Sequence, residues 1–272
     1  MADHPAITER DIERVEPGQR RRDRDQLVVE APIELRARGE ALVVVMRTPG
    51  NDVELARGLL YAEGVIRDTS EAKAVREADS DSLRPTEVGN VVEVDLPIER
   101  VRERWPSRAL YSSSSCGVCG KTAITELETR ADPVRSDLTV QRDVVCALPS
   151  RLRAAQAVFS ATGGLHAAGA FSQDGSPLAV REDVGRHNAV DKLVGWALAA
   201  GRLPATDTIL CVSGRLSFEI VQKAVVAGFP VVAAVSAPSS MAVDLAERFR
   251  VTLCGFVRGA RLNIYSHSTR IS

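Results

Sequence analysis

The chain has 272 residues, 44% of them hydrophobic and 26% charged, with a formal net charge of −1. This is ordinary globular composition, long enough for one large domain or two modest ones. Near-neutral charge and an aromatic content of 4% argue against a nucleic-acid surface, and no apolar run approaches the ~18 residues of a membrane span.

Residues 1–26 alternate charges without a hydrophobic period and read as a flexible charged arm. They lack the apolar stretch of a secretory signal, which points to a cytoplasmic protein. LVVEAPIEL and ALVVVMR then form two strand-like runs split by ARGE, a hairpin connection. NDVELARGLLYAEGVI reads as a helix capped by Asn51 or Asp52, with Glu54 in its first turn and Gly64 near its end. Leu55, Leu59 and Leu60 give it one apolar face. The polar stretch 69–89 reads as a surface connection, and NVVEVDL as a strand closed by Pro97. Residues 27–110 therefore make a small β-containing part. Residues 111–146 are poor in large apolar groups around two cysteines and read as a mobile loop region.

From residue 147 the pattern changes. LPSRLRAAQAVFSATGG predicts a helix capped by Ser150 and stopped by Gly163 and Gly164. LHAAGAFS and PLAVRED flank Gln173-Asp174-Gly175-Ser176, a strong hairpin signal. NAVDKLVGWALAAG is a helix. DTILCVSG, SFEIVQKAVVAG, PVVAAVSA, SSMAVDLAERF and VTLCGFV then alternate strand and helix. Such alternation predicts crossovers and a largely parallel sheet, covered on both faces, over residues 147–272.

In open α/β sheets ligands collect beyond the carboxyl ends of the strands. Three such ends are Ser213-Gly214-Arg215, the run from Ser236 to Ser240, and Arg258-Gly259-Ala260-Arg261. The first two also open helices, whose free N–H groups favour phosphate, and Arg258 and Arg261 could clamp one. The cluster from Glu182 to His187 is either a capping and ion-pair group or a site wall. Asp183 and His187 in it are candidate acid/base groups without a nucleophile beside them in sequence.

Five cysteines are an odd count and do not suggest a disulfide framework. Cys211 and Cys254 lie inside apolar runs and read as buried small hydrophobes. Cys116 and Cys119 lie in SSSSCGVCGK. A structural zinc needs four ligands, and His166 stands alone downstream. A zinc deaminase would carry His-x-Glu, whereas Ala168 holds the second position after His166. A thioredoxin-like pair opens a helix after a strand, a poor description of a serine- and glycine-rich run. A sulfur carrier needs an exposed thiolate that takes a persulfide's terminal sulfur and hands it on; Lys121 favours thiolate. An idle exposed pair is the plain alternative. These residues alone disfavour zinc and leave the other uses open.

SSSSCGVCGK, TGGLHAAGAF, REDVGRHNAVDKLVGWAL, VSGRLSFEIVQKAVVAGFPVVAAVSAPSSMAVDLAERF and GFVRGARLNIYSH occur in that order. Together they resemble the formate dehydrogenase accessory sulfurtransferase family (FdhD), over roughly residues 27–267. The resemblance implies an α/β protein whose larger, three-layer sheet domain is cytidine deaminase-like, with a smaller α+β N-terminal part. It implies a cytoplasmic, homodimeric sulfur carrier. Such a carrier takes sulfur from a cysteine desulfurase and passes it to the molybdenum bis(molybdopterin guanine dinucleotide) cofactor for formate dehydrogenase. By position, Cys116 resembles the persulfide cysteine and Cys119 its partner. Phe256, Val257, Arg258, Gly259, Ala260 and Arg261 match the cofactor-binding segment, and Ser213, Gly214 and Arg215 are expected beside it. No metal of its own, nucleic acid or membrane is implied.

Overall fold

The computed structural model describes residues 4–104 and 131–272. Cys116, Cys119 and most of the expected loop region lie outside them.

Strands β1 (Ile7–Glu16) and β2 (Gln19–Val28) form an antiparallel ribbon in which Asp11 faces Arg24 and Glu13 faces Arg22. This corrects the flexible arm over residues 1–26. The alternating charges are complementary across the ribbon, as in the Arg14–Asp23 pair at 3.0 Å, and Gly18 takes the positive φ of +80° that the turn needs. At its root, Ile7 and Val28 pack on Ala6, Val158 and Leu165.

A second sheet has the order β4-β3-β6-β5. The hairpin of β3 (Ala31–Ala37) and β4 (Glu40–Arg47) is antiparallel, while β3 runs parallel to β6 (Val91–Val94). The polar stretch 69–89 is more than a surface connection. It supplies a short helix, α2 (Thr69–Ala72), and an edge strand, β5 (Val75–Glu77), whose Val75 is wholly buried. Helix α1 (Asp52–Ala62) lays Leu55, Leu59 and Leu60 on this sheet against Ile33, Leu35 and Val92. Asn51 precedes α1 in a left-handed conformation but makes no side-chain cap. Helix α3 (Ile98–Arg104) follows Pro97.

The third sheet has the order β12-β11-β10-β9-β7-β8. Strands β9 (Ile209–Val212), β10 (Val231–Ala234) and β11 (Thr252–Arg258) are parallel. β7 (His166–Phe171), β8 (Pro177–Asp183) and β12 (Arg261–Ser266) run antiparallel to their neighbours. The sheet is thus mixed rather than largely parallel. The turns at Asp174-Gly175 and Gly259 are too short for anything but antiparallel connections.

Helices α6 (Arg186–Ala199), α7 (Phe218–Ala227) and α8 (Ser240–Arg248) share a core with one face of this sheet. Helix α4 (Arg142–Ala154) covers the other through Val145, Leu148 and Leu152. Three layers result. Helix α4 starts well before Ser150, so Cys146 belongs to it rather than to a loop. Its apolar face, set by residues 145, 148 and 152, keeps Pro149 inside the helix. A second helix, α5 (Ala157–Thr162), ends at Gly163 with φ +71°. No helix among the described residues is long and apolar enough to cross a membrane.

Helices α1 and α6 cross at van der Waals contact because glycines meet backbone there. A Cβ on Gly58 would lie 1.8 Å from the Asp191 oxygen, and one on Gly195 would lie 1.9 Å from that of Glu54. Leu198 of α6 completes the core of the smaller sheet.

Candidate functional site

The carboxyl ends of β9, β10 and β11 meet at one edge, and hydrogen bonds tie their exit loops together. Ser213 N–H donates to the Ala167 carbonyl (2.9 Å), and Ala167 N–H donates to Ser213 Oγ (2.8 Å). Leu216 N–H donates to the Ala237 carbonyl (3.1 Å) and Ser239 N–H to that of Leu216 (2.9 Å). Phe256 N–H reaches the Ser236 carbonyl at 3.2 Å. The expected Ser213-Gly214-Arg215, Ser236 to Ser240 and Phe256 segments are therefore contiguous.

The β11–β12 segment is irregular where the sequence placed cofactor-binding residues. Register shifts between Gly255 and Arg258. A Cβ at Gly255 would stand 3.1 Å from the Ser236 oxygen and 3.2 Å from Pro238 Cδ. Phe256 follows with φ +52° and 48% exposure. A left-handed, exposed phenylalanine is strained. Val257 turns the other way and is wholly buried in the α4 core, so of the six expected residues it offers no side chain to a ligand. Arg258 and Arg261 face each other across the turn at Gly259 and Ala260, all four exposed.

The Glu182 to His187 cluster divides in two. Glu182 accepts the Val158 and Phe159 amides (3.0 and 2.8 Å), capping α5. Asp183 is fully buried. One oxygen takes Gly185 N–H and Asn188 Nδ2 (2.8 and 2.9 Å); the other takes Thr48 N–H (3.1 Å) and Lys192 Nζ (2.8 Å). With no lone pair facing a cleft, Asp183 is a structural clasp and not an acid/base group.

His187 faces the site edge. Its Nε2 lies 3.1 Å from Ser217 Oγ and its Nδ1 3.4 Å from Glu219 Oε2. Ser217 stands at the N-cap of α7 but makes no side-chain cap, unlike Ser239, which accepts Ala242 N–H at the head of α8. Burial drives the His187 imidazole down to about 4; Glu219 opposes this, while Arg186, Lys223 and His166 reinforce it. The ring is neutral at pH 7, and its tautomer sets whether Nε2 donates to the Ser217 hydroxyl or accepts from it. His166, half-buried, is also lowered by burial and then by Arg186. Burial would lower Lys223 too, but Asp191 at 2.7 Å and Glu219 at 3.4 Å outweigh it and keep it charged.

Sequence reasoning singled out neither Ser217, Glu219, Lys192 nor Thr48. Glu219 lies 32 residues from its histidine in the chain, and Thr48 meets Asp183 from another sheet. The only local signal was Ser217 opening a helix after a strand. Among the described residues no three His, Cys, Asp or Glu side chains come together to hold a metal.

Fold and edge together define an α/β protein with a polar, partly cationic edge at its strand ends, tied by a buried clasp to a smaller sheet. The FdhD/NarQ family profile matches residues 28–272, and the chain belongs to that family. It is 48% identical over 266 residues to the sulfur carrier protein FdhD of Nocardia farcinica, covering 96% of this chain and 94% of that one. The protein of the same name from Saccharolobus solfataricus is 43% identical over 267 residues, with 96% of each covered. A crystal structure of a candidate formate dehydrogenase accessory protein from Desulfotalea psychrophila shares the fold. Its TM-score is 0.76 at 22% identity, covering 98% of this chain and all of that one.

Proposed function

We propose that this chain is a cytoplasmic, homodimeric sulfur carrier that serves formate dehydrogenase. One observation carries the assignment of its chemistry. Of five cysteines, Cys146, Cys211 and Cys254 are buried. Burial pushes all three thiols upward, Cys211 and Cys254 to about 12. None of these three is a nucleophile at neutral pH, which leaves Cys116 and Cys119.

Cys116 thiolate attacks the outer sulfur of a persulfide on a cysteine desulfurase. A new S–S bond forms, the old one breaks, and the desulfurase thiolate leaves. Cys119 thiolate then attacks the inner sulfur on Cys116. Hydrosulfide departs, a Cys116–Cys119 disulfide remains, and an external thiol reductant restores the pair. The hydrosulfide would supply the sulfido ligand of the substrate, molybdenum bis(molybdopterin guanine dinucleotide), in exchange for an oxygen ligand that leaves with the proton as hydroxide. Phe256, the Arg258 to Arg261 turn and Ser213-Gly214-Arg215 receive its guanine nucleotide ends; Val257 supports them from the core.

Incubation with a desulfurase and cysteine should add one sulfur, about 32 Da, to the peptide containing Cys116. Cys116→Ala should abolish it. Cys119→Ala should keep the added mass but release no hydrosulfide. Full activation of a client formate dehydrogenase by the double cysteine variant would point instead to a cofactor chaperone. Reduction of protein disulfides without a desulfurase would point to a dithiol oxidoreductase.

A further inference from the structure

In sequence His187 has no nucleophile beside it; the fold brings one from 30 residues away. Ser217 Oγ lies 3.1 Å from its Nε2, and Glu219 Oε2 lies 3.4 Å from its Nδ1. A carboxylate only accepts hydrogen bonds, and a neutral imidazole carries a single N–H. Glu219 therefore holds that hydrogen on Nδ1. Nε2 keeps its lone pair, and the Ser217 hydroxyl donates to it. Lys223 Nζ, 3.4 Å from Glu219 Oε1 and 2.7 Å from Asp191 Oδ1, anchors the carboxylate from behind.

Ser217 is not engaged by the helix it opens. A serine at the N-cap usually accepts an amide of the first turn, as Ser239 accepts Ala242 N–H at 3.3 Å on α8. Ser217 makes no such bond. The first backbone bond of α7 runs from Val221 N–H to the Ser217 carbonyl at 3.2 Å. The amides of Phe218, Glu219 and Ile220 precede it and have no carbonyl within the helix. Free amides beside a nucleophile suit a developing oxyanion. Ser217 is partly exposed while His187 is only 9% exposed. A reactant thus reaches the hydroxyl while the base stays shielded, which restricts the site to small acyl groups.

We propose that Ser217, His187 and Glu219 form a second reactive centre, a serine nucleophile with its base and orienting carboxylate, that cleaves small esters or thioesters. Neither Cys116 nor Cys119 takes part, so the centre does not depend on the sulfur-carrier reading. Ser217 Oγ bonds to the acyl carbon as its proton passes to His187 Nε2. The α7 amides hold the oxyanion that results. The bond from the acyl carbon to the leaving oxygen or sulfur then breaks, and the proton on Nε2 goes to that group. Water repeats the sequence on the acyl-serine: its proton goes to Nε2, its oxygen to the acyl carbon, and Ser217 departs and recovers the proton. The products are a carboxylic acid and an alcohol or thiol.

A fluorophosphonate, which phosphonylates an activated serine and releases fluoride, tests this on the full chain. Mass analysis should find the phosphonyl group on the peptide containing Ser217. His187→Gln should slow labelling about 100-fold or more, the scale of a general base. Glu219→Gln should slow it as well, because an amide that donates to Nδ1 moves the ring hydrogen to Nε2; this variant decides the matter if His187→Gln fails to fold. Glu219, Arg186, Lys223 and His166 are the charged or titratable groups facing the ring, and the wild-type rate should fall only as pH approaches about 4, where His187 takes up a proton. Turnover is read with p-nitrophenyl acetate in a chain carrying Cys116→Ala and Cys119→Ala, so that neither thiol accepts the acetyl group. Adding Ser217→Ala should remove the hydrolysis. The proposal is overturned if Ser217 gains no phosphonyl group, if either His187→Gln or Glu219→Gln is labelled at the wild-type rate, or if Ser217→Ala hydrolyses the ester as fast as its parent.

Discussion

The backbone oxygen of Asp191 stands where a side chain at Gly58 would begin, 1.8 Å from an ideal Cβ. No rotamer relieves that clash, since both partners are backbone. Gly58→Ala should therefore force α1 and α6 apart and destabilise the protein by about 2–4 kcal/mol, at or above the usual range for overpacking. Gly195→Ala should do the same from the other side. Urea unfolding of both variants checks this, and a loss below about 0.5 kcal/mol would show that the crossing is looser than described.

Lys192 and Asp183 form an ion pair whose side chains are 1% and 0% exposed. Lys192→Met leaves the buried carboxylate without its cation, and should cost about 3–5 kcal/mol. Combining it with Asp183→Asn should cost less than the two single changes added together, because the pair then loses both charges. A double-mutant cycle by chemical unfolding measures the coupling.

The His187 ring should titrate near 4 in the folded chain, visible in its imidazole NMR resonances, against about 6.5 when unfolded. A lowered histidine binds fewer protons folded than unfolded. Its contribution to stability is therefore complete above about pH 6.5 and lost as pH falls toward 4. Asp191, pushed upward by burial to about 7, acts in the opposite sense. The comparison to make is the pH dependence of unfolding in His187→Gln against wild type. The variant should lose less stability on acidification across that window; an identical profile would mean that His187 titrates normally.

Phe256 holds a backbone conformation that glycine adopts without strain, while 48% of its surface is exposed. Phe256→Gly should leave stability unchanged or raise it by up to about 1 kcal/mol. The same substitution should weaken binding of GDP, the nucleotide fragment of the proposed substrate, whereas Phe256→Trp should retain it. Thermal melts and titrations on the three proteins decide the matter. A destabilisation of several kcal/mol would make Phe256 a packing residue.

The parts of the fold that were legible in the sequence were those whose signal is local. ILCV and VVAA are apolar runs too short for helices, and Asp174-Gly175 can hardly be anything but a turn. Strand β12 was missed because an exposed edge strand needs no apolar alternation, and ARLNIYS shows little. The β1–β2 ribbon was missed because charge complementarity operates across the pair, and neither strand announces it alone. The Ser150 cap put the start of α4 too late, because Val145 and Leu148 belong to the helix through burial against the sheet and not through any local signal. At the site, the Ser213 and Ser236 loops followed from the strand-end rule alone. The clasp at Asp183 and the pairing of His187 with Ser217 and Glu219 are visible only once elements far apart in the chain are brought together.

The shut-in thiols have a consequence for capacity. Cys211 and Cys254 lie in one row across the sheet, with Ala233 between them. Two strand spacings of ~4.8 Å put them about 10 Å apart, beyond the ~7 Å reach of a disulfide. They can neither bond each other nor accept cargo. On the proposed function the chain is therefore a vessel of fixed volume, its sulfane load saturating at what Cys116 holds, whatever the supply. Thiocyanate released by cyanolysis should plateau at the same yield per chain when Cys146, Cys211 and Cys254 are all replaced.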